Sequence, residues 1–324
     1  MISSLKVYVS DMQDPYYNLA TEEFLTFSVG ADVCILYLWQ NRNTVVIGKN
    51  QNAYRECNVS KLEEDGGHIA RRLSGGGAVY HDDGNLNFTF CVRKNNYNLE
   101  KQLGVIVEAV NSFGVKAMLT GRNDITVDNR KFSGNAYYES GNYAYHHGCI
   151  LVNGNKEKLS DYLNVSEEKL KSKGVSSVKS RVMNLAEASD KITVDSLKTA
   201  MEGAFRCVYG HDFDMIVLSE EDRAKIEELR TKYASEEWLY GQKIPFTHKV
   251  EHRFEFGEVQ LLLDVNAGII NHVKAHTDSM NVALAEKIEE ALPGIPYRKE
   301  ALTLKAEAVT GEVRDILLYL CEII

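Results

Sequence analysis

The chain has 324 residues, 44% of them hydrophobic and 26% charged, with a formal net charge of −9. That length holds one large domain, or a large one plus a small one, around a sizeable core. The acidic balance argues against nucleic-acid binding, and no apolar run approaches the ~20 residues of a membrane span.

The first ten residues carry one lysine and no signal-peptide h-region, so a cytoplasmic protein is expected. Six cysteines, at 34, 57, 91, 149, 207 and 321, are scattered without a Cys-x-x-Cys pair. Reduced thiols fit this better than disulfides or zinc.

Asp14 and Pro15 make a helix start, and Tyr17, Ala20, Phe24 and Phe27 then recur at helical spacing, with Glu22 and Glu23 expected on the wet face. Val33 to Trp39 predicts a buried strand and Thr44 to Gly48 a second, β-branched one. Gln40-Asn41-Arg42-Asn43 between them predicts a hairpin. A short polar helix or turn over Lys61 to Asp65 follows, and Ile69 leads into the stretch that organises the chain.

That stretch is Arg71-Arg72-Leu73-Ser74-Gly75-Gly76-Gly77-Ala78-Val79-Tyr80-His81-Asp82-Asp83-Gly84-Asn85. Three glycines strip the backbone of side chains, so another molecule can come close. Two guanidinium groups stand beside them, and exposed N–H groups next to arginines make an anion cradle. A flexible loop or a bulge is the competing reading of the glycines alone. No Gly-Lys-Ser/Thr follows, so this is not a Walker loop. Leu86, Phe88, Phe90 and Val92, alternating with Asn87 and Thr89, predict a half-buried strand just after it.

Leu103, Ile106, Val107, Val110 and Phe113 mark a helix that Gly114 caps. Ile125-Thr126-Val127 is a short strand, turned by Asp128-Asn129 into Arg130-Lys131-Phe132-Ser133-Gly134-Asn135-Ala136. Lys131 stands among small residues that leave room for a ligand; a solvated surface charge is the bland alternative. Tyr143 to Val152 predicts another strand. Its neighbours His146 and His147 point to opposite faces and cannot share one metal, so one packs and the other lines a pocket.

From Leu159 to Leu185, lysines and Arg181 are interleaved with Gly174, Ser176, Ser177 and Ser180, which reads as a solvated basic loop or a flap over an anion. Leu197 to Val208, ended by Gly210, and the stretch after Ser219 and Asp222 predict two scaffold helices. Phe254 and Phe256, Val259 to Leu263 and Ile269 to Val273 predict a three-stranded meander with Glu258 and Asn266-Ala267-Gly268 in its turns. Helices over Asn281 to Leu292 and Val313 to Ile323 complete a small α+β unit.

Taken together, RRLSGGGAVYHDDGNLNFTF, GRNDITVDNRKFSGNAYY with HHGCILVN, and KGVSSVKSRVMNL resemble the lipoate–protein ligases, of the bacterial two-domain type within the biotin/lipoate ligase superfamily. LYLWQNRNTVVIGKNQNAYRECN and EEWLYGQKIPFTHKVEHRFEFG extend the resemblance along the whole chain. It implies an α+β fold: mixed sheets with flanking helices in a catalytic domain, 1–246, and a small C-terminal accessory domain, 250–324.

It also implies a two-step reaction. Lipoate and ATP give lipoyl-AMP and pyrophosphate, and the acyl group passes to a lysine of lipoyl domains of 2-oxoacid dehydrogenases or of glycine-cleavage H protein. By that resemblance Arg72, Gly77, Ala78, Val79, Tyr80 and Lys131 bind ATP, Lys131 and His147 bind lipoate, and Lys131 is catalytic. Lys173, Gly174, Val175, Ser177 and Arg181 fold over the adenylate. Mg²⁺ assists pyrophosphate departure, with Asp124 a carboxylate for the metal or for Lys131.

Cys149 stands where many relatives have threonine. The alternative is therefore an ATP-independent octanoyl or lipoyl transferase working through a cysteine thioester. A non-catalytic binder of acyl-adenylate is a third reading.

Overall fold

The computed structural model describes residues 2–120, 124–164, 182–241 and 244–324. They form two compact units. The first comprises Met1–Ile47, Ala53–Arg72 and Ala78–Leu239, and the second Gly48–Asn52, Leu73–Gly77 and Tyr240–Ile324.

The first unit is built on an eight-stranded mixed sheet. In chain order its strands are β1 (Ser4–Val9), β2 (Val33–Trp39), β6 (Asn85–Arg93), β7 (Met118–Thr120), β8 (Asp124–Val127), β9 (Arg130–Ser140), β10 (Tyr143–Leu151) and β11 (Phe213–Met215). Across the sheet the order is β11-β1-β2-β6-β10-β9-β8-β7. A separate sheet of three short strands, β3 (Thr44–Ile47), β4 (His68–Arg71) and β5 (Val79–His81), has the order β4-β3-β5. The expected hairpin between β2 and β3 does not form. Both edges of β2 are taken, by β1 in parallel and β6 in antiparallel, so β3 pairs elsewhere.

Helices cover both faces of the large sheet. One face carries α4 (Leu99–Asn111) and α6 (Val194–Tyr209), whose apolar stripes meet Leu36, Leu38, Phe88, Phe90 and Phe132 in one core. Phe88, Phe90, Phe132 and Phe205 are fully buried there, each contributing roughly 1.5–3 kcal/mol. The other face carries α1 (Pro15–Ser28), started by Asp14, whose carboxylate accepts the N–H groups of Tyr16 and Tyr17 at 2.8 and 3.3 Å. Behind α1 packs α7 (Glu220–Tyr233), opened by the Ser219–Asp222 capping box. Because both faces are covered, β6 is buried along nearly its whole length, Asn87 and Thr89 included, rather than on one side.

The second unit holds the antiparallel meander β12 (His248–Phe254), β13 (Gly257–Asn266) and β14 (Ile269–Thr277), with Glu258 inside β13 rather than in the turn. Helices α9 (Leu284–Ala291), α10 (Lys299–Glu307) and α11 (Glu312–Ile323) close its core. The loop 73–77 belongs to this unit. The Gly76 N–H donates to Ser279 O at 3.4 Å, and a side chain at Gly75 would collide with the Ser279 carbonyl and the Met280 backbone. The closeness that the glycines permit at Gly75 is thus to this unit's own backbone.

Gly148 in β10 shows the same constraint inside the large sheet. A Cβ there would stand 2.5 Å from Gly134 O and 2.7 Å from Phe88 Cζ. Gly148→Ala should therefore destabilise the protein by about 1–3 kcal/mol, read as an earlier midpoint in urea unfolding; an unchanged midpoint would show that this backbone yields freely.

Candidate active site

The α1-facing side of the large sheet carries one continuous row of side chains. Register places Trp39 of β2 opposite Asn87 of β6, Asn87 opposite Cys149 of β10, Cys149 opposite Gly134 of β9, and Gly134 opposite Asp124 of β8. The row runs from an indole at one end, through a carboxamide and a thiol, to a bare ledge and a carboxylate.

Lys131 joins this row because of a bulge. Ile125 pairs with Ser133, but Thr126 pairs with Lys131, so Phe132 is an extra residue in β9. In a regular strand residues 131 and 134 face opposite sides. The inserted residue turns Phe132 into the apolar core and re-aims Lys131. Its Nζ lies 2.6 Å from Asp124 Oδ1, and it reaches over Gly134, where a Cβ would meet Nζ at 2.8 Å.

One row further along, Glu22 of α1 accepts the Thr89 hydroxyl at 2.6 Å and lies 2.8 Å from His147 Nδ1. Glu22 is 2% exposed, so the expectation of a wet face is wrong for this residue. A buried carboxylate needs such partners. Tyr145 packs on the His147 ring at 4.8 Å. His146, on the opposite face, stacks on Phe90 and bonds Asn135 Oδ1 through Nε2 at 2.9 Å. The two histidines separate as their spacing predicts.

The two arginines also have different employment. Arg71 donates to the carbonyls of Trp238 and Leu239, while the Trp238 indole donates back to Arg71 O, so it fixes β4 to α8 (Glu236–Tyr240). Arg72 donates to Val46 O at 3.1 Å and lies within the fields of Tyr145, Cys149 and Glu22. Burial pulls it down to about 10, which leaves it charged at neutral pH. Cys149 keeps part of its surface open to the row, yet crowding pushes its thiol up against the opposing influence of Lys131, the Gly134 backbone and Arg72. Burial outweighs both cations, and the thiol stays protonated.

Val79 is half-buried in β5, with Ala78 just before it and Gly77 in the second unit. The Tyr80 hydroxyl is 2.9 Å from Asn43 Oδ1, and its ring packs on Tyr162. Tyr80 borders a groove of about 1010 Å³ with Asp14, Arg42, Asp82, Lys158 and Arg230, which includes neither Lys131 nor His147. The next residue, His81, turns the other way, edge-on to Trp39, with Arg72 and His147 acting on it. No local signal in the amino-acid order marks its place, or the placing of Glu22, Trp39, Thr89 and Asn87 on this face. Lys173, Gly174, Val175, Ser177 and Arg181 lie outside the described residues. Among those described, no group of three or more His, Cys, Asp or Glu could hold a metal ion.

Residues 14–206 match the model of the lipoyl protein ligase A/B catalytic domain, and residues 243–315 that of the bacterial lipoate protein ligase C-terminus. The fold is similar to the crystal structure of P. falciparum LipL1 in complex with lipoate, with 29% identity, 99% of both chains covered and a TM-score of 0.84. It is also similar to the bipartite lipoate protein ligase of Thermoplasma acidophilum, with 26% identity over 76% of this chain and 100% of that one, at a TM-score of 0.66. A lipoate-protein ligase A bound with ATP matches at 25% identity, 74% and 99% coverage and a TM-score of 0.65.

Burial pushes His81 and His146 down to about 3. Both are neutral when folded but take a proton below about 6.5 when unfolded. Stability is therefore complete above that pH and falls as pH drops toward 3, by up to about 1.4 kcal/mol per pH unit for each histidine. His146→Gln should give a shallower pH slope of the unfolding free energy between pH 6 and 4.5; identical slopes would mean that His146 is protonated in the folded protein.

Proposed function

Because the chain belongs to the lipoyl protein ligase A/B family, we propose that Lys131 is where it brings lipoate and ATP together. The protein is an ATP-dependent lipoate–protein ligase: it activates lipoate as lipoyl-AMP and transfers the lipoyl group to a lysine of a lipoyl domain. The observation that carries the residue assignment is the Lys131 ammonium, held by Asp124 over the Gly134 ledge.

Adenylation brings a carboxylate up to an α-phosphate. Two like charges about 4 Å apart repel by about 4 kcal/mol near a protein surface. An ammonium between them offsets that repulsion and steadies the charge developing at phosphorus. Asp124 orients the ammonium, and the buried Arg72 guanidinium, whose charge also acts on Cys149, supplies a second fixed cation. Arg72, Gly77, Ala78, Val79 and Tyr80 complete the nucleotide site in this reading, with Lys173, Gly174, Val175, Ser177 and Arg181 over the adenylate. The acyl chain lies along the row toward Trp39, beside His147.

With one Asp124 oxygen on Lys131, Mg²⁺ is expected to enter on the nucleotide phosphates, as it binds with few protein carboxylates. In the second step the acceptor amine attacks the acyl carbon, the C–N bond forms and AMP departs with the C–O bond's electrons. Glycine-cleavage H protein is the proposed acceptor beside dehydrogenase lipoyl domains. We assign activation to a domain spanning 1–246 and the accessory role to 250–324. No helix among the described residues is long and apolar enough to cross a membrane, and a cytoplasmic location is proposed.

The raised thiol of Cys149 disfavours the thioester route, which needs a thiolate. AMP release should require lipoate and ATP together. Lys131→Ala should slow it by about 10²–10³ with an unchanged melting temperature, whereas Cys149→Ala should retain it. Full activity in Lys131→Ala would refute the assignment.

A further inference from the structure

Asn87 is the side chain in the row with no use assigned. It is 1% exposed, and neither its Nδ2 nor its Oδ1 has a hydrogen-bond partner. Its strand neighbours Leu86 and Phe88 point into the apolar core, so Asn87 faces the α1 side with Thr89, whose hydroxyl bonds Glu22. Directly across the ladder stand Trp39 and Cys149. Side chains so paired have Cβ atoms about 4.5–5.5 Å apart. A buried carboxamide with both ends unmet is a standing cost to the fold unless a ligand meets it.

The ligand is indicated by what surrounds Cys149. The Lys131 ammonium reaches over Gly134, which stands directly across the ladder from Cys149, so a carboxylate drawn to that ammonium lies over Cys149 and beside Asn87. The Asn87 oxygen, an acceptor only, repels a carboxylate; the N–H end attracts it. We propose that Asn87 is a substrate-binding residue, whose Nδ2–H donates to a carboxyl oxygen of the bound acid and fixes how the acid lies before activation. This rests on the reading of the row as the lipoate slot. The hydrogen bond persists onto the acyl carbonyl after activation, so the residue serves both steps.

Lipoate binding without ATP, measured by calorimetry, separates the possibilities for the wild type, Asn87→Leu and Asn87→Asp. Asn87→Leu keeps the size of the side chain and removes its polarity. It should raise the lipoate Kd, and the KM for lipoate in AMP release, by about tenfold or more, with the KM for ATP unchanged. Its Tm should rise by about 2–4 °C, because an unmet polar group has left the interior. Asn87→Asp should bind lipoate more weakly still, through like-charge repulsion. Wild-type affinity in Asn87→Leu, or a fall in Tm with unchanged affinity, would overturn the proposal and leave the ligase reading standing. A wild type that neither binds lipoate nor releases AMP with it would overturn both.

Discussion

A single extra residue in β9 decides which face of the sheet receives the amine of Lys131. Phe132 occupies a position that no residue of β8 matches, so the strand's alternation is broken once. From Gly134 onward the alternate residues face α1 and Trp39; before the break, Lys131 would face the apolar core. With the bulge, Phe132 takes that core position and the lysine gains the polar face. One local irregularity thus fills the core and supplies the cation. Without it, the amine would be buried among Ile125, Ile150 and Phe88, or the strand would slip and expose Phe132.

The rest of the site is arranged around the consequences of covering a sheet on both faces. Such a sheet gives water little access, so each polar group on it must be met from within. Thr89 and His147 are met by Glu22, which arrives on α1. Trp39 donates its indole N–H to Thr89 at 3.1 Å, so indole, hydroxyl, carboxylate and imidazole form one chain of contacts. Asn18 ties the ends of this layer together, contacting Ser10, Tyr37 and Asn41. The network makes α1 a rigid wall, as the proposed acyl slot requires. Asn87 is unmet at both ends of its carboxamide, and an unmet group of that kind is where a ligand's contribution shows.

Much of this was visible in the amino-acid order wherever the signal was local. Asp14-Pro15 starts α1, Asp128-Asn129 turns β8 into β9 with positive φ at both residues, and Gly114 and Gly210 end helices in the left-handed region. These depend on a few neighbouring residues and so can be read from them. Strand pairing does not: whether β3 joins β2 is settled by β1 and β6 competing for the same edges. Glu22 looked solvated because its charge fits that reading, while the partners that bury it lie 67 and 125 residues away. Lys131 stands out through the small residues around it and the family motif, but the bulge that aims it is a counting difference between two strands and leaves no mark in either. The short helix α10 carries only a weak apolar stripe and no side-chain cap, so the amino-acid order hardly marks it.

The central claim is that the amine of Lys131 works from its place over residue 134. Among the described residues, only the far end of Lys131 lies within 4 Å of where a Cβ on Gly134 would stand, so a methyl group there displaces the amine and spares the fold. Single-turnover formation of lipoyl-AMP by Gly134→Ala, compared with transfer from lipoyl-AMP supplied ready-made, is the most direct measurement. Adenylation should slow at least about tenfold while the melting temperature holds and transfer is affected far less. A variant that makes lipoyl-AMP at the wild-type rate would contradict the account.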